Sequence, residues 1–196
     1  MLKLHLEVKR GWVLQKSDEV LVEETRKGNK KSFELLIIKY EKQIFNLIFQ
    51  FTKDREVVAE LAQETFLKAF RALPEFKGKS SFYTWLRRIA INNSINYLHT
   101  REHTLDSESS DNKLRNLIDN RFGTPEKNVL MMESSSIIRR AMDSLPDRLR
   151  SILIMREFED MSYEEIAKIL ECPVGTVRSR LFHARRLLKE KLEPYL

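Results

Sequence analysis

The chain has 196 residues, with 35 Lys plus Arg against 29 Asp plus Glu and a formal net charge of +6. That length holds one large or two small domains, each able to bury a core, and the basic balance agrees with an anionic partner. Its one cysteine, Cys172, excludes an intramolecular disulfide and a cysteine cluster for zinc, which fits a reducing, cytoplasmic setting.

The amino-terminal stretch MLKLHLEVKRGWVLQK mixes Lys, His, Glu and Arg with its apolar residues. It therefore lacks the continuous apolar segment and small-residue cleavage site of a signal peptide. Leu2, Leu4, Leu6 and Val8 alternate at period two but stand alone, a pattern that fits an arm over residues 1–17 as well as it fits a strand.

From residue 18 onward the apolar residues recur at helical spacing. Helices are expected over 18–27, 31–51, 54–73, 81–101, 126–145 and 147–157, with Pro74, Pro125, Pro146 and Pro173 at the joints. The most apolar stretch, 33–51, is interrupted by Glu34, Lys39, Glu41 and Lys42. A spanning helix needs about 20 mainly apolar residues, so direct membrane insertion is not expected.

Residues 76–101, FKGKSSFYTWLRRIAINNSINYLHTR, combine a short basic loop (Lys77, Lys79) with a helix. Phe82, Trp85, Leu86, Ile89 and Ala90 form its apolar face, and Arg87, Arg88, Asn92 and Asn96 its polar side. Aromatics interleaved with cations and amides suit single-stranded nucleic acid, because rings stack on bases and amides bond to their edges. By composition alone Phe82 and Trp85 read as core. Phe76, beside a proline turn and a glycine-containing loop, is the better candidate for an exposed ring.

Residues 102–124, EHTLDSESSDNKLRNLIDNRFGT, are polar and weakly periodic and read as a flexible linker. The expected fold is all-α: two small helical domains, 18–101 and 125–196, joined by that linker. As a coil, about 23 residues span roughly 25 to 30 Å, and fully extended about 75 Å.

The carboxy-terminal stretch MSYEEIAKILECPVGTVRSRLFHARRLL reads as a helix-turn-helix. Ser162 with Glu165 forms a capping-box pattern, and Cys172-Pro173-Val174-Gly175 interrupts the first helix. In the second helix Val177, Leu181, Ala184 and Leu188 share one inward stripe, at roughly 100° per residue. Gly175, Ser179, Phe182, His183 and Arg186 lie roughly opposite, flanked by Thr176 and Arg178. Between Glu157 and Glu171 stand six acidic residues and one lysine, whereas between Val174 and Lys191 stand six Lys or Arg and one glutamate. Polyphosphate is repelled by the first stretch and attracted by the second, so the second helix is the expected reader of a major groove.

The strings DREVVAELAQETFLKAFRALPEF, FYTWLRRIAIN, SYEEIAKIL and CPVGTVRSR, in this order, resemble the extracytoplasmic function (ECF, group 4) sigma factors of bacterial RNA polymerase, and the sigma-E branch in particular. The resemblance runs over about residues 18–192. It implies that 54–73 dock on core polymerase, with Glu60, Gln63 and Glu64 as polar docking residues. It also implies that 76–96 read the minus-10 element as melted strand. Phe76 and Asn92 then stand at the pocket for an extruded base, with Lys77, Lys79, Arg88 and Asn96 alongside. This gives the ring of Phe76 and the amide of Asn92 a recognition role in place of an ordinary surface one, and leaves Phe82 and Trp85 as core.

For the carboxy-terminal module the resemblance implies reading of the minus-35 element as duplex. Arg156, Arg178, Ser179 and Phe182 match DNA-touching positions, with Thr176, His183 and Arg186 on the same surface. One departure is His183, where the family branch carries Arg; a histidine cannot make the bidentate arginine contact to guanine. The two promoter elements lie over ~34 Å apart, beyond the linker's coil span, so the linker is expected to be drawn out in the bound state. By resemblance it threads through polymerase, and the large region 3 domain of primary sigma factors is lacking.

The partners implied are core polymerase, promoter DNA and an anti-sigma factor, often a membrane-anchored one. The alternative reading is an autonomous helix-turn-helix regulator binding an operator as a dimer, with a DNA-processing enzyme third. Glycines at 11, 28, 78, 123 and 175 are too scattered for a Walker loop or a dinucleotide fingerprint. No metal-spaced cluster or triad signal accompanies them, so neither catalysis nor a cofactor is expected.

Overall fold

Polar residues ahead of each apolar run start the helices of the first unit. Asp18–Arg26 forms α1, Lys30–Phe51 α2, Arg55–Ala72 α3 and Phe82–Ser107 α4. The Asn29 side chain accepts the Lys31 N–H at 3.1 Å, and Asp54 accepts the Glu56 N–H at 3.0 Å; each relieves an orphan donor of a first helical turn. Gly28, at φ +96°, ends α1 in the left-handed conformation that costs a residue without a Cβ little. The structure is a computed structural model and describes residues 16–107 and 129–195, with side chains for 16–101 and 136–195.

The core of this unit comes from the helical stripes. Leu21 of α1, Leu36, Ile44, Ile48 and Phe51 of α2, Val58 and Ala69 of α3, and Leu86, Ala90, Ile91 and Ile95 of α4 are all buried. α2 packs against both α1 and α3. The Asp18 carboxylate accepts from Lys39 Nζ at 2.5 Å and from the Tyr40 hydroxyl, fixing the start of α1 on α2. The Tyr40 ring lies against Phe82 and Tyr83 at 5.8 and 5.2 Å, which carries the link on to α4. Burial and the hydrogen bond to the Asp18 carboxylate raise the Tyr40 hydroxyl pKa above its ordinary value.

The chain divides into two compact units between Leu98 and His99. The second unit comprises α5 (Val129–Asp143), α6 (Asp147–Leu153), α7 (Tyr163–Ile169) and α8 (Val174–Leu192). α8 packs against α5, α6 and α7. Its Val177, Leu181 and Ala184 are buried, as the four-three spacing requires, with Ile152, Leu153, Met155 and Ile166 also in the core. Leu188, last on that stripe, is half-buried.

Four expectations shift. The helix expected over 81–101 continues to Ser107, because no proline or glycine stands between Gly78 and Gly123 to stop it. The helix expected over 126–145 is described as Val129–Asp143, so it ends two residues early; 126–128 lie outside the described residues. The one expected over 147–157 is α-helical only to Leu153 and then widens into a π turn over Ile154–Phe158, closed by a Glu159 N–H to Ile154 carbonyl bond of 3.1 Å. Trp85 and Ile89 are half-buried rather than core, while Phe82 is buried as expected. Residues 1–15 of the expected arm and 108–124 of the expected linker lie outside the described residues; 102–107 belong to α4.

Candidate nucleic-acid interface

In the first unit the Leu73–Glu75 turn, with Pro74, breaks α3 and delivers Phe76 onto the start of α4. The Phe76 ring lies 4.9 Å from Trp85 and edge-on to Phe82 at 6.2 Å, so it is half-buried rather than free. Phe82 anchors the cluster in the core. Phe76 and Trp85 form its outer layer, which is why Trp85 departs from the core assignment. Arg26 of α1 donates to the carbonyls of Leu73 and Phe76. Between α1 and the loop opens a cleft of about 800 Å³, whose walls include Glu19, Glu23, Arg26, Phe76, Lys77 and Ser80.

Beyond Trp85, successive turns of α4 expose Arg88, Asn92 and Asn96, and the preceding loop exposes Lys77 and Lys79. All six expected residues of this surface therefore belong to one loop and one helix face. Asn93 is different: it points inward, 3% exposed, donating to Thr65 Oγ1 at 3.1 Å and accepting from Lys68 Nζ at 2.7 Å. Thr65 Oγ1 in turn donates to the Leu61 carbonyl at 2.7 Å. This polar chain ties α4 to α3 with its buried groups partnered.

α3 presents Glu60, Gln63 and Glu64 on its exposed side, at spacings of three and one. Leu67 follows on the same stripe, 49% exposed, and Glu64 pairs with Lys68 at 2.7 Å. The sequence reading did not single out Leu67. An apolar residue at the heptad spacing from Glu60 was the available signal.

In the second unit the expected capping box is present: Glu165 N–H to Ser162 Oγ at 3.1 Å and Ser162 N–H to Glu165 Oε2 at 3.0 Å. The turn follows α7, with Glu171 at φ +48°, and Val174 and Gly175 already belong to the first turn of α8. Arg178, Ser179, Phe182, His183 and Arg186 are exposed and Thr176 half-exposed. Phe182 is 71% exposed, a cost in water that a neighbouring duplex would remove.

Tyr163, the first residue of α7, joins what the sequence separates. The guanidinium of Arg156 lies 5.2 Å from its ring centroid and that of Arg178 lies 5.9 Å away. Arg156 also donates to the Met161 carbonyl at 2.8 Å. The π turn over Ile154–Phe158 carries Arg156. Both arginines thus lie against one aromatic ring, whose faces favour cations through the ring quadrupole. Arg185, counted among the basic residues of α8, is held by Glu157 at 2.6 Å, and this hydrogen bond raises its pKa further. Two cations of α8 thus have acidic partners within the fold, Arg185 with Glu157 and Arg186 with Glu190 at 3.7 Å.

Among the described residues no helix is long and apolar enough to cross a membrane. Residues 36–104 match the family model of sigma-70 region 2, and residues 135–188 that of sigma-70 region 4. These two matches define a transcription initiation factor of the sigma-70 class. The chain is 41% identical over 192 residues to the RNA polymerase sigma-H factor of Pseudomonas aeruginosa, covering 93% of this chain and 97% of that protein. It is 40% identical over 187 residues to the ECF RNA polymerase sigma-E factor of Escherichia coli K12, with the same coverage. The chain belongs to the ECF sigma factors, non-enzymatic proteins that direct promoter-specific transcription initiation. The fold is similar to that of the sigma factor RpoE solved with the anti-sigma factor NepR from Bartonella quintana. That likeness has a TM-score of 0.57 at 22% identity and covers 83% of this chain and 98% of the other.

Proposed function

We propose that the two surfaces divide promoter recognition between melted and duplex DNA, on behalf of a core polymerase held by α3. In this reading Glu60, Gln63 and Glu64, with Leu67, form the docking stripe. Phe76 and Asn92 receive an extruded base of the minus-10 element, with Lys77, Lys79, Arg88 and Asn96 along the strand. Arg156, Thr176, Arg178, Ser179, Phe182, His183 and Arg186 contact the minus-35 duplex. The observation that carries the reading is the half-buried Phe76–Trp85 pair followed by Arg88, Asn92 and Asn96 on one helix face. Ring, cation and amide in line are what an unstacked strand needs.

The division of the chain belongs to the same proposal: an arm over 1–17, a docking and minus-10 domain over 18–101, a linker over 102–124 and a minus-35 domain over 125–196. It is supported by the break between Leu98 and His99 and by the two family matches. The protein works in the cytoplasm, where core polymerase and promoter DNA are found. Its negative regulator is an anti-sigma factor, by analogy with the Bartonella quintana protein and its NepR partner.

Transcription in vitro with purified core polymerase and a candidate promoter tests the reading. The expected result is initiation dependent on the chain, with weak promoter binding by the chain alone. Tight binding to duplex DNA without core, and no initiation with it, overturns the reading in favour of an autonomous regulator.

A further inference from the structure

The loop that presents Phe76 has little apolar material of its own to hold it. Lys77, Gly78 and Lys79 are exposed, Gly78 sits at φ +66°, and nothing lies within 4 Å of where its Cβ would be. The stretch must be fixed from its beginning. There, Arg26 in the last turn of α1 donates from Nε to the Leu73 carbonyl at 3.3 Å and from Nη2 to the Phe76 carbonyl. The Leu73 carbonyl also accepts the Phe76 N–H at 3.2 Å, closing the turn around Pro74. Glu23 lies 3.8 Å from Nη1 on the same guanidinium.

One side chain thus binds the two carbonyls that bracket the turn. A guanidinium does this because its donors radiate from a rigid plane; an ammonium is a compact point charge without that fork. The Arg26 side chain is 33% exposed, so its charge is partly hydrated while its donors reach into the fold. Both bonds are charge-assisted, which makes them stronger than ordinary amide contacts. The ring they position is the one lying 4.9 Å from Trp85.

We infer that Arg26 is a positioning residue for minus-10 recognition. It locks the backbone of residues 73–76 onto α1 and so sets where the Phe76 ring meets the melted strand. The inference rests on the minus-10 role proposed above for Phe76, and it adds α1, a helix the promoter reading does not otherwise use, to the recognition apparatus.

The chain contains two tryptophans, Trp12 and Trp85, so in a Trp12→Phe background the emission of the full-length protein reports Trp85 alone. Three variants are compared in that background: Arg26→Ala, Arg26→Lys and Phe76→Ala. Each is assayed for Trp85 emission, core binding, and promoter opening by permanganate reactivity of the holoenzyme. Arg26→Ala should move Trp85 emission to longer wavelength and lower opening roughly ten-fold, as expected for losing charge-assisted bonds, with core binding unchanged. Arg26→Lys should recover only part of both signals.

Unchanged emission in Arg26→Ala overturns the latch, whatever happens to opening. Shifted emission with full opening overturns its link to recognition. Full recovery by lysine overturns the two-carbonyl geometry. If Phe76→Ala opens promoters normally, the minus-10 reading itself fails, separately from the latch. If Arg26→Ala proves unfolded by thermal melting, Arg26→Lys decides alone: wild-type emission and opening reject the inference, and a partial loss of both supports it.

Discussion

In the first unit the aromatic ring proposed to meet DNA is kept half-covered: Phe76 lies against Trp85, and its carbonyl is held by Arg26 of α1. In the second unit the corresponding ring, Phe182, stands 71% exposed on the open face of α8. The contrast follows from the state of the DNA each surface is proposed to meet. A melted strand offers the flat faces of its bases, and a ring gains most from stacking when its position is already fixed. A duplex hides those faces and offers base edges in a groove wide enough for a whole helix, so the side chains must project. The first surface is therefore a prearranged platform, the second a set of arms on a rigid rod.

The sharpest way to break this comparison is to remove the platform. Phe76→Ala should impair open-complex formation by roughly 1 to 3 kcal/mol, the usual worth of a base–aromatic stack, and Asn92→Ala by about 0.5 to 1.5 kcal/mol, the net worth of a hydrogen bond, while leaving core binding intact. Equal losses in both measurements would show that these residues support the fold of the unit rather than the strand. Next in size is Arg178→Ala in the second unit. It should weaken binding to the minus-35 duplex by roughly 1 to 3 kcal/mol on the cognate sequence only, if Arg178 reads a base. A uniform loss across sequences, with a shallower salt dependence, would assign it to phosphate.

Smaller effects test how each surface is supported. Ser162→Ala removes one half of the capping box under Tyr163. It should lower the stability of the second unit by roughly 0.5 to 2 kcal/mol in urea unfolding, without changing promoter opening at low temperature. The smallest expected effect is that of Glu157→Ala, which releases Arg185 from its 2.6 Å pair. An exposed pair of this kind contributes about 0 to 1 kcal/mol to stability. The freed cation should steepen the salt dependence of duplex binding by about 0.9 in the log–log slope if it reaches a phosphate. An unchanged slope would mean that Arg185 is structural in the DNA complex too.

Much of this molecule was legible in its residues because helices announce themselves locally. The Ser162–Glu165 box, the Pro173 turn and the Val177, Leu181, Ala184 stripe depend on neighbours within a turn or two, so spacing alone finds them. The same holds for Asn92 and Asn96, which spacing places on the polar side of α4 and which are exposed; Asn93, on the stripe through Leu86 and Ala90, is buried. The charge split of the helix-turn-helix was also visible, but its size was not: Arg185 is matched by Glu157, 28 residues earlier.

Local patterns were enough for the helices and their inward faces, the Ser162–Glu165 cap, the layout in two helical parts, and the family through its motifs. Which side chains from distant segments come together depends instead on how whole helices pack. Tyr163 collects Arg156 and Arg178 onto one ring, and Arg26 reaches the Phe76 carbonyl 50 residues later in the chain. Periodicity reports which face of a helix turns inward. It does not report which neighbour that face meets, because long-range pairing is set by packing of whole elements rather than by spacing within one.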